Sequence, residues 1–181
     1  MNRRAILAAS FCISLMGCAH QPSSQNEIYD RTIDARIRVY FGVSTHFYFN
    51  AACEPRNASY GYGAGGGIAV AKPRMFHLAN TTTGMPVPED AYRYYDEYVI
   101  KANQPLTITL DTGGWSQNGG FVITQARRHA TGTFVPQPGA DYEAFADGEN
   151  GGLGLVVRRL RADDSRVQTE RMTVQPAPLC P

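Results

Sequence analysis

Leu106-Thr107-Ile108-Thr109-Leu110 places an apolar side chain at every second position, with a threonine between each pair. A repeat of two is the signature of a strand with one buried face, because successive side chains on extended backbone point to opposite sides. Asn103-Gln104-Pro105 is turn chemistry, and Tyr98 and Ile100 repeat the alternation ahead of it. Glu97–Leu110 therefore reads as strand, turn, strand. Upstream, Ile37, Val39 and Phe41 share one side with Arg38 and Tyr40 opposite, and Phe47-Tyr48-Phe49 resumes an extended run after Gly42. That glycine marks a bulge or a hairpin. Downstream, Phe121–Gln125, Thr131–Val135, Leu153–Val157 and Val167–Val174 read as further strands. Asp111–Gly120 reads as a glycine-rich turn carrying the single tryptophan, Trp115. A helical period is absent over any long stretch, and Glu89–Ile100 is the one place where a short helix fits. The expectation is an all-β chain, an antiparallel β-sandwich of about seven or eight strands in a single domain.

One turn is specific enough to suggest its own contact. In Pro136-Gln137-Pro138-Gly139-Ala140-Asp141-Tyr142-Glu143 the prolines and glycine set a tight turn, and Tyr142 enters a strand just behind it. A tyrosine so placed reaches back with its hydroxyl to the upstream backbone, as in the tyrosine corner of Greek-key sandwiches. With Phe134 ahead of this turn, the segment of roughly residues 130–160 resembles small bacterial envelope lipoproteins with a transthyretin-like β-sandwich domain. That resemblance implies a fold and no activity.

The first residues have a separate logic. Arg3 and Arg4 precede an apolar run from Ala5 to Met16, the length of a secretory signal and too short to span a bilayer. Leu15-Met16-Gly17-Cys18 resembles the lipobox of bacterial lipoproteins, in which the cysteine after the cut carries a diacylglycerol thioether. Residues 1–17 are then a lipoprotein signal peptide, 18–34 a lipidated N-terminus and flexible tether rich in Ser, Gln and Asn, and 35–181 the β-sandwich domain. Two or three acyl chains hold a protein on a membrane where one does not, so Cys18 implies stable anchoring. Ala19 after it favours the outer membrane by analogy with enterobacterial sorting, with the domain facing the periplasm.

Of four cysteines, Cys12 leaves with the leader and Cys18 takes the lipid. Cys53 and Cys180 remain, and in an oxidising envelope a disulfide between them is expected, with two free buried thiols the alternative. Loss of Arg3 and Arg4 takes the basic count from 17 to 15 against 16 acidic residues, which gives no electrostatic reason for a nucleic-acid partner.

Chemistry-bearing constellations are sparse. Gly61, Gly63, Gly65, Gly66 and Gly67 crowd together, but no Gly-Lys-Ser/Thr follows as a phosphate loop requires. The histidines stand singly, so neither a metal site nor a cofactor is expected. No Gly-x-Ser-x-Gly setting marks a nucleophile. The adjacent carboxylates Asp96 and Glu97 suit solvent exposure on opposite strand faces. Tyr92, Tyr94 and Tyr95 offer a binding platform, with covering of the sheet core as the plainer reading, and Trp115 is a further candidate contact. Arg158, Arg159 and Arg161, joined by Arg127 and Arg128, would grip phosphates or an acidic surface if their strands were neighbours, although adjacent arginines alternate faces.

The function expected is that of a non-enzymatic, outer-membrane-anchored binding or assembly module for another envelope component. The alternative is an inhibitor of a cell-wall hydrolase such as lysozyme, although none of the short loop motifs of such inhibitors is present. An enzymatic reading would centre a hydrolase on His77, His129 and the tyrosines.

Overall fold

A computed structural model of the chain describes residues 28–56, 67–71, 79–118, 120–148, 152–164 and 166–181. The expected signal peptide with Cys18, most of the expected tether, Gly61–Gly66, His77 and the side chain of Trp115 lie outside the described residues. Nine strands and no helix are found among them: β1 (Asp34–Tyr40), β2 (Ser44–Phe49), β3 (Ile68–Val70), β4 (Tyr95–Lys101), β5 (Leu106–Asn118), β6 (Phe121–Phe134), β7 (Asp141–Asp147), β8 (Gly154–Ala162) and β9 (Val167–Arg171). They form a five-stranded sheet in the order β4-β1-β7-β8-β9 and a four-stranded sheet in the order β3-β2-β5-β6. All pairings are antiparallel except β1 with β7.

The two sheets close on one core, the β-sandwich that the alternation implies. Ala35, Ile37 and Val39 from β1, Ile100 from β4 and Val157 from β8 meet Phe47 from β2 and Leu106, Ile108 and Leu110 from β5. Edge-to-face ring pairs stitch the layers, Phe47 on Tyr98 at 5.6 Å between centroids and Phe134 on Tyr142 at 5.1 Å. The Tyr142 hydroxyl accepts a hydrogen bond from the Gln137 amide at 3.0 Å, and its side chain is fully buried. The tyrosine corner is therefore present. Cys53 and Cys180 are joined by a disulfide across 127 positions of sequence. Beside it the tail runs parallel to residues 53–56, with the Cys180 amide bonded to the Glu54 carbonyl at 2.8 Å.

Several local expectations are corrected. Gly42 makes neither bulge nor hairpin: β1 and β2 belong to different sheets, and at φ 131° the glycine carries the chain from one to the other. Asp111–Gly120 is mostly strand rather than turn, because β5 continues to Asn118 and pairs with β6 to its end. Glycine in that stretch serves a bulge, and Phe121–Gln125 and Thr131–Phe134 fuse into one long β6. No helix interrupts Glu89–Ile100. Residues 29–34, within the stretch expected to be a tether, are held locally: the Thr32 amide bonds to Asp30, the Asp30 amide bonds to Asp34, and Tyr29 lies under the Arg36 guanidinium.

Candidate functional site

Each sheet has an outer face, and the charged residues are distributed unequally between them. On β1 the even-numbered residues point away from the core, which sets Arg36, Arg38 and Tyr40 on the outer side of the five-stranded sheet. The register aligns Glu97, Arg38, Glu143, Arg158 and Arg171 as direct neighbours across five strands. Opposite charges alternate along the first four. Arg38 Nη2 donates to Glu97 Oε1 at 2.6 Å, Arg158 Nε donates to Glu143 Oε1 at 2.6 Å, and the Tyr40 hydroxyl donates to Glu143 Oε2 at 2.5 Å. Burial, and after it the Glu143 carboxylate, push the Tyr40 phenol well above its ordinary range.

A strap formed by residues 79–94 covers this row. The Thr83 and Met85 amides bond Glu97 Oε2, Arg36 Nη1 bonds the Thr83 carbonyl, and Arg158 reaches Asp90 at 2.7 Å. Tyr92 packs edge-on against Tyr40 at 5.2 Å. Arg38, Glu97 and Glu143 are in consequence at most 1 % exposed. The expectation that Asp96 and Glu97 face solvent is overturned: Asp96 accepts from the Thr81 amide, Glu97 answers Arg38, and the strap shuts water out over both.

The four-stranded sheet is different. Ser44, His46, Asp111, Arg127, Arg128 and His129 surround a groove of about 450 Å³ on its outer side. A bulge in β6 builds it. Between Thr112 opposite Arg128 and Gly114 opposite Gln125, β5 advances two residues and β6 three. An extra residue breaks the two-fold alternation there; Arg127 falls in it, Arg128 is the last regularly paired residue before it, and both line the groove. Gly113 is required at the bulge, since φ is +82° and a Cβ would lie 2.1 Å from the Ala126 carbonyl oxygen.

His129 is held on both sides, by Asp111 through Nδ1 at 2.8 Å and by Glu54 through Nε2 at 2.9 Å. Two carboxylates can only accept, so with both bonds formed both ring nitrogens donate and the ring is an imidazolium. Partial burial works against the charge, but the hydrogen bonds and charges of Asp111 and Glu54 outweigh it and the His129 pKa is raised. The disulfide supplies this geometry, because it ties residue 53, and with it Glu54, to the tail beside β6. Arg127 and Arg128 have no ion-pair partner among the described residues. The groove thus presents three cationic groups, of which only His129 is answered by carboxylates.

Chemically the cations of the groove suit an anion. An imidazolium gripped at both nitrogens has no lone pair with which to act as a general base. Among the described residues no group of three or more His, Cys, Asp or Glu side chains is placed to hold a metal ion.

The residues singled out from the sequence do not converge as one site. Tyr92 is exposed on the strap, Tyr94 is half-buried beneath Arg93, and Tyr95 is buried under the Arg38 guanidinium at 4.4 Å. Two of the three cover the sheet rather than offer a platform. Trp115 sits on β5 opposite Thr124, in strand rather than loop. Arg158 points out into the ionic row, whereas Arg159 and Arg161 take the other parity of β8. Arg127 and Arg128 belong to the other sheet, so the five arginines make no common patch. The groove was missed because Ser44, His46 and Asp111 are far apart in sequence and only β2–β5–β6 pairing unites them. Compared with protein families, with curated proteins and with solved structures, the chain matches none.

Proposed function

We propose that the chain is a lipid-anchored protein of the bacterial outer membrane, facing the periplasm, whose β-sandwich is a non-enzymatic binding or assembly module. Its groove on β2, β5 and β6 takes an anionic group of another envelope component. The observation that carries this reading is the pair of guanidiniums, Arg127 and Arg128, which line the same groove as the His129 imidazolium and have no carboxylate partner among the described residues. Guanidiniums match carboxylate and phosphate oxygens through paired donors, so an open pair is a recognition element for either. Support for the location is the lipobox-like Leu15-Met16-Gly17-Cys18, and the disulfide suits an oxidising compartment.

The test is an in-vivo crosslinked pull-down from membranes, with the wild-type chain compared with Cys18→Ser and with Arg127→Gln/Arg128→Gln. One defined component should be recovered by the wild type and lost with the arginine pair. Its loss with Cys18→Ser as well marks a role that depends on the anchor. Recovery of the same component by the arginine variant removes the groove from the proposal, and turnover of a defined envelope substrate removes the non-enzymatic reading.

A further inference from the structure

A second concavity, of about 540 Å³, lies at the end of the sandwich where the chain enters β1. Arg31, Arg159 and Arg161 line it, together with Gly139 and Asp141. None of these belongs to the groove on the other sheet. Arg159 and Arg161 share one parity of β8, past the point where that face covers the core, so both guanidiniums reach the same space. Arg31 arrives from the turn before β1. That turn is fixed against the Tyr142 corner by the Gly139 amide bonding the Asp34 carbonyl at 2.8 Å and the Arg36 amide bonding the Ala140 carbonyl at 3.0 Å.

The charges in this pocket are unequally satisfied. Asp141 is neutralised from the sheet face by Arg36 through two bonds of 2.7 and 2.8 Å. Arg161 pairs with Glu170, but both side chains are more than half exposed, and such a pair yields readily to a competing anion. Arg159 gives Nη1 to the Gln137 side-chain oxygen at 2.8 Å, while its Nε is shut from solvent with no acceptor. No ion pair of Arg31 is found among the described residues. Bonded among the described residues only to a neutral amide oxygen, the Arg159 guanidinium keeps its charge uncompensated, which an anion in the pocket would answer.

We propose that Arg31, Arg159 and Arg161 form a phosphate-binding site, distinct from the groove. Phosphate fits this set better than a carboxylate because its oxygens spread in three dimensions, and the guanidiniums come from two separate segments of chain. The position gives the site a use. Arg31 lies 13 residues beyond Cys18, so on the anchored reading proposed above the pocket belongs to the end of the domain joined to the membrane. A phosphate of an anionic lipid headgroup and a free phosphate are the two sources of this chemistry.

The experiment follows the Arg159 Nε–H resonance of the full lipidated chain in zwitterionic detergent micelles by nitrogen–proton correlation NMR. Inorganic phosphate, short-chain phosphatidylglycerol and short-chain phosphatidylcholine are titrated separately. Saturable movement of that resonance with phosphate is expected, with affinity falling about tenfold, equivalent to one lost charge-assisted contact, in Arg31→Gln. Arg31 is on an exposed turn, so its loss leaves the fold intact, and unchanged amide resonances of β1 check this. Arg127→Gln/Arg128→Gln should leave the titration unaltered, which separates this site from the groove whether or not the groove binds a partner. Stronger response to phosphatidylglycerol than to phosphatidylcholine assigns the site to a headgroup, and response to inorganic phosphate alone assigns it to free phosphate. No saturable response, or one indifferent to Arg31→Gln, means an adventitious ion only and overturns the proposal.

Discussion

On the five-stranded sheet, Arg38, Glu97 and Glu143 lie in one register row under a strap and are almost wholly buried; on the four-stranded sheet, Arg127, Arg128 and His129 stand around an open groove. Both sets are charged residues on strands, and their local sequences do not separate them. What separates them is the covering segment. Residues 79–94 return across the first sheet and spend their amides, a carbonyl and Asp90 on the row, whereas among the described residues the second sheet is crossed near one end, by the disulfide-linked segments around Glu54 and Leu179. The first surface is closed into structure, and the second keeps its cations around a groove.

The sharpest way to break this comparison is to truncate one member of each set. Arg38→Ala leaves Glu97 buried and uncompensated, and loss of a partner from a buried pair costs about 3–5 kcal/mol. Arg128→Ala removes an exposed guanidinium that has no ion-pair partner among the described residues, and should stay within about 0.5 kcal/mol. Urea unfolding of both variants measures the contrast. Equal losses would mean that the groove is as much a part of the folded framework as the buried row.

The disulfide comes next in size. It closes a long loop and positions Glu54 against His129, so Cys53→Ala/Cys180→Ala should cost about 2–5 kcal/mol. If the groove depends on the tie, the variant should also lose the His129 contact with Glu54, read as a fall in the His129 pKa by proton NMR. An unchanged His129 pKa would show that β5 alone holds the imidazole.

Tyr142→Phe is smaller. It deletes one hydroxyl and leaves the Gln137 amide without its acceptor, at a cost of about 1–3 kcal/mol if water cannot reach that amide. Thermal unfolding measures it, and the lower end of the range is expected because the amide is only partly buried.

These cases also show what can be read along the chain. The alternation of Leu106, Ile108 and Leu110 and of Ile37 and Val39 specified strands and core, since period two is a local property. Tyr142 was legible because its partner is five residues away, and Cys53 with Cys180 because the expected leader and anchor would account for the other two cysteines. Burial of Glu97 was not legible, because it depends on Arg38 from another strand and on a strap that reads only as a polar, proline-bearing loop. The long β5–β6 ribbon was hidden by Gly113, Gly114 and Gly120, whose turn chemistry masks a bulge and a tight hairpin. The groove itself depends on that bulge and on pairing among three strands, neither of which leaves a mark in any short window.

The smallest predicted effect tests whether His129 is a cation in the open groove. Its pKa is raised in the folded chain, with the bonds to Asp111 and Glu54 outweighing partial burial. A raised folded pKa means that the charged form is favoured by folding, so its stabilisation is complete below the unfolded value of about 6.5 and is lost as pH rises through the folded value. The ring is 42 % exposed, and solvent screening keeps the whole contribution under about 1 kcal/mol. Wild-type stability should therefore decline relative to His129→Gln as pH rises from below the unfolded value to above the folded one. Asp111→Asn should shrink that difference by removing one of the two carboxylates. A pH-independent difference would mean that the imidazole is neutral throughout, and the groove would then hold two cations rather than three. Anion affinity would in that case be flat over the same interval instead of weakening as the third charge is lost.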